Sequence, residues 1–153
     1  MTKLDNIDHQ LLAYLQQDAK KTTKELALLL GLSNTAVYER IKKLERQKII
    51  TNYVALIDKE KVEKSFMVLC QVKLSQHMKS NIIQFEREVL KFEEVLECYH
   101  VSGDYDYILK ILVKNMDAYR KFLIEKLTVI SGIGSTQSTF VIKEVKNTTL
   151  VVS

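Results

Sequence analysis

The run TTKELALLLGLSNTAVYERIKKLERQK, Thr22 to Lys48, decides the fold. Thr22 and Glu25, three residues apart, form a capping box that satisfies two backbone donors at a helix start. Leu26, Leu29 and Leu30 supply that helix's apolar stripe. Gly31 stands where the helix needs a residue tolerant of positive φ, and Ser33 caps the next helix. In the second helix Val37, Ile41 and Leu44 recur at i, i+4 and i+7, which places them on one buried face. Thr35, Tyr38, Glu39, Lys42 and Arg46 fall on the opposite face, with Arg40 and Lys43 on the flanks. One face anchored and one polar, cationic face outward is what a helix–turn–helix needs in order to enter a major groove.

Upstream, Asp5 caps a first helix whose stripe is Ile7, Leu11, Leu12 and Leu15. Together these segments make a three-helix unit ending near Gln47. Downstream, Ile49 and Ile50 lead into a predicted linker strand around Tyr53, Ala55 and Ile57. Its apolar content on both faces implies a cover, such as another chain. The charged stretch Asp58 to Lys64 is the natural boundary.

Beyond it the pattern alternates. Phe66, Val68, Cys70, Val72 and Leu74 share one face of a strand. Ile82, Ile83, Phe85, Val89 and Leu90 suit a helix. Val95–Ser102 and Tyr105–Lys114 read as two strands hinged on Gly103-Asp104. Tyr119, Phe122, Leu123, Leu127 and Ile130 mark a second helix capped by Asn115 or Asp117. Ser138–Val145 reads as the last long strand, with Thr149–Val152 a short terminal one. The order β-α-β-β-α-β is ferredoxin-like, with both helices on one sheet face. The other face must then be solvated or paired, and apolar residues on both sides of Phe66–Cys70 favour a dimer built sheet against sheet. The fold class is therefore α+β: a winged helix–turn–helix domain over 1–50, a linker strand and hinge over 51–64, and a ferredoxin-like (RAM) domain over 65–153.

A chain of 153 residues, 46% hydrophobic and 27% charged, has the balance of a soluble globular protein and enough length to bury a core. No apolar run is long enough to span a bilayer, and Met1 to Asp5 lacks a signal peptide's apolar region, so no membrane partner and a cytoplasmic address are expected. The net charge of +4 alone does not establish nucleic-acid binding. Its concentration in Arg40, Lys42, Lys43, Arg46 and Lys48 is more informative. Cys70 and Cys98 fall in predicted strands and read as structural thiols rather than a disulfide.

Among these contacts, Ser33 at a helix start suits a phosphate. Arg40, Lys43 and Arg46, with Lys24 on the preceding helix, are placed to reach further phosphates. Asn34, Thr35, Tyr38, Glu39 and Lys42 face outward where base edges would lie: Asn pairs with adenine, and Tyr38 or the Thr35 methyl can touch a thymine methyl. Arg40 has a competing reading as an internal ion-pair partner, and Tyr38 as a packing residue. Two such helices in a dimer imply a roughly palindromic site on double-stranded DNA.

The chain resembles the Lrp/AsnC (leucine-responsive/asparagine-responsive, feast/famine) transcriptional regulators. The residues that carry the likeness are Leu4-Asp5 and Asp8; Leu32-Ser33 with Val37, Arg40, Lys43, Leu44 and Glu45; Ile50 and Tyr53-x-Ala55; Val101-Ser102-Gly103-Asp104-Tyr105-Asp106-Tyr107; and Thr136 to Thr139 with Phe140. The likeness runs from Leu4 to about Val152. It implies a sequence-specific DNA-binding regulator with no cofactor, whose effector is a free amino acid held by Gly103, Asp104, Tyr105 and Asp106 together with Thr136, Gln137, Ser138 and Thr139. In such regulators the pocket lies where dimers meet, so occupancy can bias assembly and DNA geometry. The expected self-partner is a homodimer, with an octamer as the larger assembly. The residues alone also allow a purely structural reading of the 103–107 turn. Three departures stand out. Lys48 replaces the glycine usual at the end of the recognition helix, so that helix is expected to end differently or to run longer. Asp58-Lys59 replaces Asp-Pro, and the glycine expected near Glu63 is missing.

The alternatives are an architectural DNA-binding protein without an effector, and an enzyme. Asp104 and Asp106, two apart on a strand, share a side, but no histidine or nucleophile joins them at a readable spacing. His9, His77 and His100 are scattered, Cys98-x-His100 offers two metal ligands at most, and no phosphate-cradling glycine loop is present. Neither an enzyme nor a metal site is expected.

Overall fold

The computed structural model describes residues 3–76 and 78–152, so the first two residues, His77 and Ser153 lie outside the described residues. The chain divides into two compact units, Met1–Leu56 with Val145–Ser153, and Ile57–Glu144.

The first unit is a head of three helices: α1 (Asn6–Gln17), α2 (Thr23–Leu30) and α3 (Asn34–Arg46). Each start is capped as its sequence requires. Asp5 and Asp8 form a capping box on α1, Thr22 and Glu25 form one on α2, and the Ala36 N–H donates to Ser33 Oγ on α3. Leu11, Leu12, Leu15, Leu26, Ala27, Val37 and Leu44 make the core. Leu29, expected inside, is half exposed, and Ala27 takes the inward place.

The two turns that close the head are chemically different. Gly31 ends α2 at φ 64°. At the end of α3, Lys48 itself adopts φ 58°. Its N–H donates to the Glu45 carbonyl at 3.0 Å and the Ile49 N–H donates to the Leu44 carbonyl at 3.0 Å, the Schellman pattern, with Ile49 against the core. The helix therefore neither runs on nor ends differently; lysine occupies the left-handed cap, at a cost of roughly 1–2 kcal/mol relative to the right-handed region. Glu63, the other position where the glycine is missing, has φ 55°.

Residues 51–58 form no ladder within the chain, so the expected linker strand is absent from the described residues. Val54, Leu56 and Ile57 lie exposed there. The tail is likewise not a strand. It lies along α1: Gln16 Nε2 donates to the Thr149 carbonyl at 2.6 Å, and Gln16 Oε1 accepts from the Val151 and Val152 N–H groups at 3.3 and 2.9 Å. Residues 145–152 thus cluster with the head instead of the second domain.

The second unit is a four-stranded antiparallel sheet in the order β2-β3-β1-β4, from β1 (Phe66–Leu74), β2 (Val95–His100), β3 (Tyr107–Val113) and β4 (Ile133–Phe140). This is the ferredoxin-like order. Helices α4 (Lys79–Val89) and α5 (Met116–Phe122) supply Phe85, Val89, Tyr119 and Phe122 to the core formed with Val68, Cys70, Val72, Leu109 and Ile111. Ile83 and Leu90, expected inside α4, point outward. Asn115 caps α5. A π-helical segment, Leu123–Leu127, continues it, and the extra residue carries Leu127 inward where a regular helix would place Lys126. Cys70 is buried, whereas Cys98, expected to be a structural thiol, is exposed. Both pair near Leu109 from opposite sides of β3, so they are two strand spacings apart, about 9–10 Å, too far for a disulfide.

Candidate functional site

In α3 the buried side is Val37 and Leu44, both fully enclosed, with Ile41 partly buried between them. Ser33, Asn34, Thr35, Glu39 and Arg46 are exposed, as is Tyr38 at 49%. Lys24 is exposed on α2. The ridge is not uniformly cationic. Lys42 Nζ donates to Glu45 Oε2 at 2.8 Å and lies 5.7 Å from the Tyr38 ring centre. Glu45 Oε1 also accepts from the Tyr53 hydroxyl at 3.1 Å. Lys42 first, then Tyr53, holds the Glu45 carboxyl below its ordinary range. This chain keeps the Lys42–Glu45 pair on one edge and leaves Asn34, Thr35 and Tyr38 as the outward group at the helix start.

Arg40, expected among the phosphate contacts, is engaged inside the head. Its Nη1 donates to Asp5 Oδ2 and to Asp8 Oδ1, each at 2.7 Å. Lys43 Nζ lies 3.7 Å from Asp8 Oδ2. Asp8 is wholly buried. The signal for this was readable, since Asp8 lies one turn before Leu11 and Leu12 on the buried stripe, where a carboxylate needs a cation.

The second candidate region is the turn from Val101 to Asp106 with the opening of β4. The turn is longer than the sequence suggested, because β2 ends at His100 and β3 begins at Tyr107. Gly103 has φ 121°, and it and Asp104 are exposed. Asp106, expected to receive an ammonium group, is tied into the sheet. Its N–H donates to the Val72 carbonyl at 2.9 Å and its Oδ2 accepts from the Leu74 N–H at 2.7 Å, where the β1–β4 register shifts. The Tyr105 hydroxyl donates to Gln137 Oε1.

Thr136, Gln137, Ser138 and Thr139 lie opposite Val72, Gln71, Cys70 and Leu69 of β1. Directly paired residues share a face, so Thr136 and Ser138 point to the helix side while Gln137 and Thr139 point to the open side. Ser138 Oγ lies 2.5 Å from the Tyr119 hydroxyl. Burial pushes the Tyr119 hydroxyl well above the ordinary phenol range and also raises the Cys70 thiol. The four expected effector residues of β4 therefore divide between two faces, and Tyr105 meets Gln137 from the turn.

Two hollows of the second unit lie elsewhere: one of about 370 Å³ around Lys64, Glu94, Lys121 and Phe122, the other of about 430 Å³ around Lys59, Met67 and Ile142. His100 stacks on Tyr107, ring centres 4.7 Å apart. No group of three or more His, Cys, Asp or Glu gathers as a metal site among the described residues, and no helix is long and apolar enough to cross a membrane.

Comparison with known proteins matches both units. Residues 4–45 fit the AsnC-type helix-turn-helix domain and residues 67–151 the Lrp/AsnC ligand binding domain. The leucine-responsive regulatory protein of Escherichia coli (strain K12) is 40% identical over 149 residues, covering 97% of this chain and 91% of that protein. A transcriptional regulator from Neisseria meningitidis, solved as an L-Met complex, superposes with a TM-score of 0.92 at 33% identity over 96% of this chain and 95% of its own. An AsnC family transcriptional regulator from Agrobacterium tumefaciens gives 0.92 at 33% identity over 97% and 96%.

Proposed function

The chain belongs to the Lrp/AsnC family of transcriptional regulators, and on that premise we propose how its own residues divide the work. The outward ridge of α3 reads operator DNA. Ser33, Lys24 and Arg46 take phosphates; Asn34, Thr35, Tyr38, Glu39 and Lys42 face base edges. The turn at Gly103–Asp106 and the residues Thr136–Thr139 form the effector region, and the effector is a free amino acid. Asp104, exposed at the tip of the turn, is the carboxylate available to an ammonium group. The protein works in the cytoplasm, where its DNA is.

The observation that carries this reading is the division of α3. Val37 and Leu44 are fully enclosed while the residues from Ser33 to Thr35, with Tyr38, stand clear of the head. A second copy supplies the opposite half-site. The unpaired apolar linker, Val54 to Ile57, and the open sheet face around Leu69 give such a copy surface to bury.

A salt titration on a promoter fragment tests the DNA half. With about 6–10 phosphates engaged, affinity should drop roughly 10³–10⁵-fold between about 50 and 200 mM salt. A flat response would reject it. For the ligand half, calorimetry against the twenty amino acids should give a signal that Asp104→Ala removes; silence across the panel would reject that assignment.

A further inference from the structure

We infer that Arg40, with Asp5, Asp8 and Lys43, is a specificity-determining clamp that sets the presentation angle of the recognition helix and makes no contact with DNA. The inference rests on the DNA-reading function proposed for α3 and assigns to its inner flank a role distinct from the outer ridge.

The geometry is closed. All four carboxylate oxygens of Asp5 and Asp8 are engaged. Asp5 Oδ1 accepts the Asp8 N–H at 2.7 Å and Asp5 Oδ2 accepts Arg40; Asp8 Oδ1 accepts Arg40, and Asp8 Oδ2 accepts the Asp5 N–H at 3.3 Å with Lys43 Nζ at 3.7 Å. The capping box that starts α1 is thus the anchor for the middle of α3. One nitrogen, Arg40 Nη1, bridges both acids. The Asp8 side chain is 1% exposed and the Arg40 side chain 27%. Drawing Arg40 away toward a phosphate would leave the buried Asp8 carboxylate only the Lys43 ammonium at 3.7 Å in place of its closest charge partner, which is unfavourable.

Helical spacing says the same. At about 100° per residue, Arg40 lies roughly 60° round α3 from Val37 and roughly 120° from Arg46. It belongs to the flank that meets α1 and not to the ridge. The two carboxylates hold the Arg40 guanidinium more firmly protonated than usual, and the Asp8 N–H together with Arg40 holds the Asp5 carboxyl low. The Asp5–Arg40 pair therefore stays charged across the neutral range.

A rigid angle matters because base readout is short-ranged. Asn34, Thr35 and Tyr38 reach base edges only if the helix enters the groove at one tilt, whereas phosphate attraction tolerates tilt. Loosening the clamp should cost discrimination and leave the electrostatic component alone.

The test uses the full chain, a duplex selected from a random pool by the wild-type protein, and a scrambled duplex of equal length. For Arg40→Gln, the slope of log affinity against log salt on the scrambled duplex should stay unchanged, while the preference for the selected duplex falls about tenfold or more. Asp8→Asn alters a residue that no duplex can touch and should give the same loss, and the double variant should be no worse than the single ones. A slope reduced by roughly 0.9 in Arg40→Gln with preference intact would make it a phosphate contact and overturn the clamp. If Asp8→Asn fails to melt cooperatively, Asp5→Asn, altering the exposed half, takes its place, and an undiminished preference there also overturns the inference. Failure of the wild-type protein to show any salt dependence would instead count against the DNA reading itself.

Discussion

The helical head and the effector region differ in how much of a site one chain can build. The proposed DNA face is the outer side of one helix. It requires only that one side of α3 be anchored, and Val37, Leu44 and the Arg40 clamp do that within the chain. A site that encloses a small molecule is concave and needs walls. Strand alternation sends Thr136 and Ser138 to one face of the sheet and Gln137 and Thr139 to the other, while Asp106 is already bound to the Leu74 N–H. A single helix face can thus be held in place within one head, while a pocket at a sheet edge depends on what covers it.

The contrast breaks most sharply in the head core. Leu44→Ala should destabilise the head by about 2–5 kcal/mol and abolish DNA binding, while leaving the amino-acid calorimetry signal in place. Loss of both together would show that the two sites are not separable.

Next, the two aspartates of the turn should separate. Asp106→Ala orphans the Leu74 N–H and should cost about 1–3 kcal/mol of stability without any ligand present, read as a lowered Tm. Asp104→Ala should leave Tm unchanged and act only on ligand response. Equal effects on Tm would remove the distinction between a structural and a binding carboxylate.

The two left-handed residues give a smaller and opposite effect. Lys48→Gly should stabilise by about 1 kcal/mol at most, because relief of Cβ crowding outweighs the added chain entropy, and Glu63→Gly by less, because it also removes the exposed ion pair with Lys114. The gain from Lys48→Gly belongs to the head and that from Glu63→Gly to the sheet unit, so denaturant curves can assign them separately.

Smallest is the response to acid. Asp5 is held below its ordinary range by the Asp8 N–H and then Arg40, and Glu25 by the Thr22 backbone and hydroxyl. Groups with depressed values lend stability that is full above roughly pH 4–5 and is lost as pH falls through the folded value. Melts across that window should show Asp5→Asn flattening the head's acid limb. An unchanged limb would show that Asp5 contributes nothing there.

Much of this was readable from residue spacing. The cap at Asp5, the capping box at Thr22, the inward row Val68, Cys70, Val72 and Leu74, Asn115 as one of two candidate caps and the ferredoxin-like order all follow from local chemistry and strand alternation. What escaped depends on tertiary context. Leu29 yielded to Ala27 because helix packing, not hydropathy, chooses the inward residue. Leu127 is inward, as its place on the stripe with Tyr119 and Leu123 suggested, but the π turn that carries it there is one no regular period anticipates. The linker strand near Val54 needs a partner to become a strand, and the tail found Gln16 instead. Lys48 kept a conformation that a glycine rule assigns elsewhere, because the Ile49 and Ile50 contacts to the head core outweigh its strain.

Hydroxyl-radical footprinting of the full chain on a selected duplex tests most directly whether the α3 ridge reads DNA. Two protected patches are expected on one face of the duplex, centred about 10–10.5 base pairs or a multiple of that apart, with the pattern lost in a Thr35→Ala/Tyr38→Ala double variant. Uniform protection without a preferred face, or a footprint untouched by that variant, would contradict it.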